Sequence, residues 1–178
     1  MENSTLPSPL QWTDAYKIGV DKVDTQHRFL FETINYLGGV LRAPEPDPDV
    51  VMKQIDFLVT WYKAHFIYEE SCFGRACASD GDCATRGRNR NAHDEMLARV
   101  KTIVDQAHFP MRRIAAARDL YTASCEWLVD HVANVDNAFS TCQSSPGAHG
   151  ADTIRDTESE TFRGDSPRPS VTPAPASR

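Results

Sequence analysis

Apolar residues recur along most of this chain in steps of three and four, the period of helices with one buried face. The first stripe reads Leu30, Ile34, Leu37 and Leu41. It predicts a helix that opens at Asp24, a candidate N-cap, weakens at Gly38-Gly39 and is closed by Pro44, Pro46 and Pro48. A second helix is expected to begin between Asp47 and Asp49, with Pro48 tolerated in its first turn. Its seam reads Val51, Ile55, Leu58, Tyr62, His65, Glu69, Cys72. The pattern stops between Phe73 and Arg88, where Gly74, Gly81 and Gly87 with Cys77 and Cys83 predict a loop. A third helix is expected from about Asn89, with His93, Met96/Leu97, Val100 and Ile103/Val104 on its apolar side. Phe109-Pro110 ends it, and a fourth runs to about Ser140 with Ile114, Ala117, Tyr121, Leu128, His131 and Val135 facing inward.

Four amphipathic segments with short Pro- and Gly-containing connections predict an all-α protein, an up-down-up-down four-helix bundle. No strand alternation and no internal repeat compete with that reading. The bundle is assigned to residues 11–142, with Trp12, Tyr16, Ile18 and Val20 packing across it ahead of the first helix. Residues 1–10 are polar and Pro-containing and are expected to form a flexible arm. Residues 143–178, rich in Ser, Thr, Pro and Gly, are expected to be a disordered tail.

Length and charge narrow the function. At 178 residues the chain has room for one domain with a core, and a net charge of −6 gives no broad surplus of Lys and Arg to neutralise phosphates, which argues against nucleic acid as a partner. The opening residues carry neither a basic n-region nor an apolar h-region, and no stretch reaches the roughly 18 apolar residues of a membrane span. The expectation is a cytoplasmic protein without a membrane partner. Five cysteines, an odd number, predict thiols and not a paired disulfide framework.

The informative positions are polar residues inside the apolar stripes. His65 and Glu69 occupy consecutive places in the second seam, and His27, His93 and His131 lie on the stripes of the other three helices. Imidazoles and a carboxylate in a core cost several kcal/mol unless paired or metal-bound. In a bundle all five can converge at one level. Asp136 lies five residues after His131, about 140° round an ideal helix, so it needs a locally loosened helix end or an approach from the opposite flank.

Residues 12–140 resemble the hemerythrin family, in particular its bacterial members. The resemblance rests on Trp12 and Tyr16 ahead of Gly19-Val-Asp, then Asp24-x-Gln-His27, His65-Phe-x-x-Glu69-Glu70, His93-Asp-Glu-x-Leu97 and Trp127-Leu-x-x-His131-x-x-x-x-Asp136. Only six histidines occur in the chain, and four stand at the positions that match the family. The resemblance implies two non-haem irons bridged by Glu69 and Asp136. It matches His27 and His65 to the iron with an open position, where dioxygen or nitric oxide binds, and His93 and His131 to the other iron. The third histidine expected on that second iron corresponds to Asn89, which either ligates weakly, leaves the place to water or caps the third helix; the second iron is then held less tightly.

Other candidates carry less. Cys72, Cys77 and Cys83 lack zinc-site spacing and read as idle thiols, as a redox-active pair or as the source of a thiolate near the second iron. Arg86, Arg88 and Arg90 form a local basic cluster, and His108 and His149 match no family position. The function expected from the resemblance is an oxygen or nitric oxide carrier or sensor, more a binding protein than an enzyme. The alternatives are a di-iron enzyme acting on peroxide or nitric oxide, or a degenerate site whose bundle serves iron storage or interaction with protein partners that the sequence does not identify.

Overall fold

The computed structural model describes residues 5–76 and 84–138. Four helices, α1 (Asp21–Leu41), α2 (Pro48–Ala76), α3 (Ala84–Ala107) and α4 (Arg113–Asp130), form the bundle. Each packs on its neighbours in sequence, α4 closes the ring on α1, and α2 also meets α4 across the diagonal. This is the expected up-down-up-down arrangement. Among the described residues no helix is long and apolar enough to cross a membrane.

The helix stripes are buried as the periodicity requires. Every member of the second seam, from Val51 through Tyr62, His65 and Glu69 to Cys72, is buried. So are Leu30, Ile34, Leu37 and Leu41 on α1 and Met96 and Val100 on α3. Asp47 caps α2: its Oδ1 accepts the backbone N–H of Asp49 at 2.8 Å, and Pro48 takes the first helical position, where its missing N–H costs nothing.

Three local expectations are corrected. Helix α1 begins at Asp21, and Asp24 reaches back to accept the N–H groups of Ile18 at 2.8 Å and Gly19 at 3.2 Å. Gly19 sits at φ +84°, the left-handed conformation that suits glycine, so Asp24 secures the turn before the helix and not the helix itself. Second, Gly38 is more than a weak point. It is buried against α4, and a Cβ there would stand 2.6 Å from Tyr121 Cζ, so the close approach of α1 and α4 requires a residue without one. Third, where a flexible arm is expected, residues 5–10 have no regular secondary structure but are tied to the bundle. Leu10 and Asn35 exchange two hydrogen bonds, Leu10 N–H to Oδ1 at 2.7 Å and Nδ2 to the Leu10 carbonyl at 2.8 Å. The Pro7 carbonyl accepts from Arg42 and from the Tyr121 hydroxyl. A polar segment without helix periodicity can therefore be anchored by side chains of the helices it crosses. Trp12 and Tyr16 do pack inward as expected, both against Phe31.

The end of the fourth helix differs most. A 3-10 turn over Pro110–Arg112 precedes α4, and from His131 to Asp136 the chain widens into a π-helix. In that i→i+5 winding, five residues make about one turn. Val135, placed inward by a 3.6-residue period, is only partly buried, while Val132 and Asp136 are buried. The loosened helix end that Asp136 needs is thus present. Residues 1–4, the tail assigned to 143–178, Cys77, Cys83 and His149 lie outside the described residues.

Candidate metal centre

All six expected ligands come together. His27 is supplied by α1, His65 and Glu69 by α2, His93 by α3, and His131 and Asp136 by the π-helix that continues α4. All are buried, at 0–2% exposure. Their donor atoms fall into two groups, His27/His65/Glu69 and Glu69/His93/His131/Asp136, each with one atom per residue within 4.8 Å of the others. Glu69 belongs to both. Asp136 also reaches both sides, with Oδ1 2.9 Å from His131 Nε2 and Oδ2 3.4 Å from His27 Nε2. The π-helix explains why: it places His131 and Asp136 one wide turn apart on one face, where an α-helix would separate them.

Each half of the site has an outer support. His65 Nδ1–H donates to Gln26 Oε1 at 3.0 Å, leaving its Nε2 lone pair directed inward. His93 Nδ1–H donates to Glu70 Oε1 at 3.0 Å, and Glu70 in turn meets Arg90 at 3.5 Å. Hydrogen bonds of this kind fix the tautomer and ring angle of a ligating histidine. Aromatic planes complete the second side: Phe66 stacks on His93 with centroids 3.9 Å apart, and Trp127 stacks on His131 at 4.1 Å. On the first side His27 and His65 meet edge to face at 4.8 Å.

The electrostatics of the ligand residues are those of imidazoles and carboxylates confined together. Burial opposes ionisation of Glu69, yet the imidazoles of His131, His27 and His93 gathered around it hold it well below the usual carboxylate range. Asp136 goes the other way, raised by burial and by the charge of Glu69. For His131, burial disfavours the cation, but Asp136 and Glu69 outweigh it and push the pKa up to about 9. For His65 burial prevails over Glu69 and brings the pKa down to about 3.

The donor set fits metal ions. His27 Nε2, His65 Nε2, Glu69 Oε1 and Asp136 Oδ2, all on residues of the two donor groups, are buried without a hydrogen-bond partner among the described residues. Buried polar atoms are almost always paired, and a cluster of orphans aimed into one space marks a missing partner. Imidazole and carboxylate together suit a divalent transition metal such as iron.

Asn89 needs correction. Because α3 starts at Ala84, Asn89 stands in its second turn and cannot cap it. It is buried at 1% exposure, and its Nδ2 donates to Asp136 Oδ1 at 2.9 Å and to Glu69 Oε2 at 3.3 Å. His108 is exposed, as expected of a residue outside the site. Cys72 is buried, and neither it nor Cys125 forms a disulfide. Sequence reasoning did not assign the roles of Gln26 and Glu70. Gln26 and Glu70 flank ligands by one position, which is the only signal available for them.

Comparison with known proteins agrees with this geometry. Residues 18–141 match the family model of the hemerythrin HHE cation binding domain. A bacteriohemerythrin of Stenotrophomonas maltophilia (strain R551-3) is 27% identical over 138 residues, covering 74% of this chain and 79% of its own. A hemerythrin-like protein of Naegleria gruberi is 25% identical over 136 residues, with 76% of this chain and 95% of its own covered. A myohemerythrin of Riftia pachyptila is 24% identical over 131 residues, covering 74% and 91%. No solved structure shows a significant match. A family match across most of the bundle, on a core that gathers histidines and carboxylates from all four helices, has one reading: the chain belongs to the hemerythrin family, whose members are non-haem iron proteins that bind oxygen.

Proposed function

We propose that this protein holds two irons and binds dioxygen or nitric oxide reversibly, as a carrier or sensor. The observation that supports this most is the sharing of Glu69 between two buried donor groups, which suits two cations and not one. His27 and His65 would hold the first metal, His93 and His131 the second, with Glu69 and Asp136 between them. Two ferrous ions would supply the electrons that a diatomic ligand draws on when it binds.

The chain's own residues prepare that event. His65 is already neutral, so its lone pair is free for a metal at physiological pH. The two carboxylates offset the charge of the cations in a medium where isolated charge is costly. Phe66, Trp127 and Tyr62 wall the site from water on the side of α2 and α4, and a dry site limits the delivery of protons that would turn reversible binding into a side reaction. With Asn89 in place of a third histidine, two imidazoles and the two shared carboxylates would hold each metal, and the second would be held less tightly than by three histidines.

Anaerobic loading with ferrous iron tests the reading. Two irons per chain, with optical changes on adding oxygen or nitric oxide that reverse on removing the gas, support it. No more than one iron per chain counts against it. Sustained consumption of peroxide or nitric oxide with an electron donor, in place of reversible binding, reassigns the protein as an enzyme.

A further inference from the structure

We infer that Asn89 is a clamp on the two shared carboxylates and not a metal ligand. Its amide nitrogen lies 2.9 Å from Asp136 Oδ1 and 3.3 Å from Glu69 Oε2, so one NH2 group spans both acids. Burial at 1% exposure means that water does not substitute for either bond. The orientation of the amide follows from its neighbours: turned over, it would set a carbonyl oxygen against an oxygen of each acid, Asp136 Oδ1 and Glu69 Oε2, which already face His131 Nε2 at 2.9 Å and His93 Nε2 at 3.0 Å. The inference rests on the di-iron reading, because the clamp acts on the carboxylates that two metals would share.

A clamp solves a problem particular to this site. Glu69 and Asp136 are two buried acids brought together from different helices, and their oxygens must be held in place. An N–H donor to each holds their oxygens in place before a metal arrives, where an additional imidazole would compete for the same protons. Ligation through Asn89 Oδ1 would require the amide to rotate and forfeit both hydrogen bonds. Asn89 is therefore a positioning residue. Its place in the second turn of α3, one helical turn before His93, puts the amide beside the second metal position without adding a donor to it. The outcome is a centre with like halves, two imidazoles to each metal.

The test is nuclear magnetic resonance of the whole chain with labelled asparagine, first metal-free and then with two equivalents of zinc, a diamagnetic stand-in for ferrous iron. The clamp predicts Asn89 side-chain N–H signals that exchange slowly with solvent in both states and a side-chain carbonyl carbon that moves little with zinc. A large zinc-dependent shift of that carbon, with loss of amide protection, identifies Oδ1 as a ligand and overturns the clamp. Fast amide exchange in the metal-free protein overturns it as well. The Asn89→Leu variant adds a second readout. It should still bind two zinc ions, with the weaker one losing about 10- to 100-fold in affinity, as removal of an outer support does; retention of only one equivalent overturns the clamp. If the wild type binds no zinc, the di-iron reading fails, while slow amide exchange in the metal-free protein still decides whether the amide holds the two acids.

Discussion

The two halves of the centre are built from the same ligand types and behave differently. On the first side, His65 is neutral and supported by the uncharged amide oxygen of Gln26. On the second, His93 leans on the charged Glu70, His131 carries a proton held by Asp136 and Glu69, and the two imidazoles face each other with Nε2 atoms 3.1 Å apart. Nitrogens that close need a proton or a metal ion between them. The first half therefore presents free lone pairs, while the second stores a proton that a metal must replace. Residue type alone does not settle readiness to bind; the neighbours of each imidazole do.

The largest effect should come from the residue common to both halves. Glu69→Ala is expected to abolish loading at both positions, reducing metal content after anaerobic incubation to background. One full equivalent remaining would show that the halves bind independently of the shared carboxylate. Single-side variants should separate them next: His65→Ala and His93→Ala are each expected to leave one equivalent, with His93→Ala sparing the half that needs no proton displaced. Equal loss of both metals in either variant would make the centre all-or-none.

Outer supports should matter less, and unequally. Glu70→Gln replaces a charged acceptor behind His93 by a neutral one, and about a 10-fold loss in affinity at the second position is expected, within the range for such partners. Gln26→Leu removes a neutral acceptor behind His65 and should cost less than that at the first. Metal titration by calorimetry compares the two directly. A larger loss from Gln26→Leu than from Glu70→Gln would contradict the contrast between a neutral half and a charged one.

How much of this the sequence discloses depends on whether a residue obeys helix periodicity. His27, His65, Glu69 and His93 share seams with leucines and valines, so the pattern that buries the core also buries them, and their convergence is legible from spacing. Asp136 breaks the period of its helix; the sequence shows the mismatch, and only the π-helix shows its resolution. The tethering of residues 5–10 depends on Asn35, Arg42 and Tyr121, polar groups far away in the chain whose partners no local pattern announces. Asn89 is the most instructive failure. A helix start placed at Asn89 makes it a cap, whereas the true start at Ala84 puts it inside the helix and turns its amide onto two acids that come from other helices.

The smallest expected effect is in pH dependence, and there the halves should pull in opposite directions. The folded pKa of His65, about 3, lies below its ordinary value of 6.5, so the unfolded chain binds the extra proton between these limits and stability of the metal-free protein rises with pH across them. His131 is the reverse case: with a folded pKa of about 9, the native state holds the extra proton, and the stability it contributes is full below 6.5 and lost as pH rises to 9. The metal-free melting temperature should therefore peak near pH 6.5 and fall by about 5 °C towards pH 9. A metal takes the place of the His131 proton, so zinc-loaded protein should lack the alkaline decline and its loading should release protons over the same range. Thermal melts from pH 5 to 9 with and without zinc read this out. A metal-free melting temperature that stays level or climbs between pH 6.5 and 9 would mean that the second half stores no proton, and the two halves would then differ only in their outer supports.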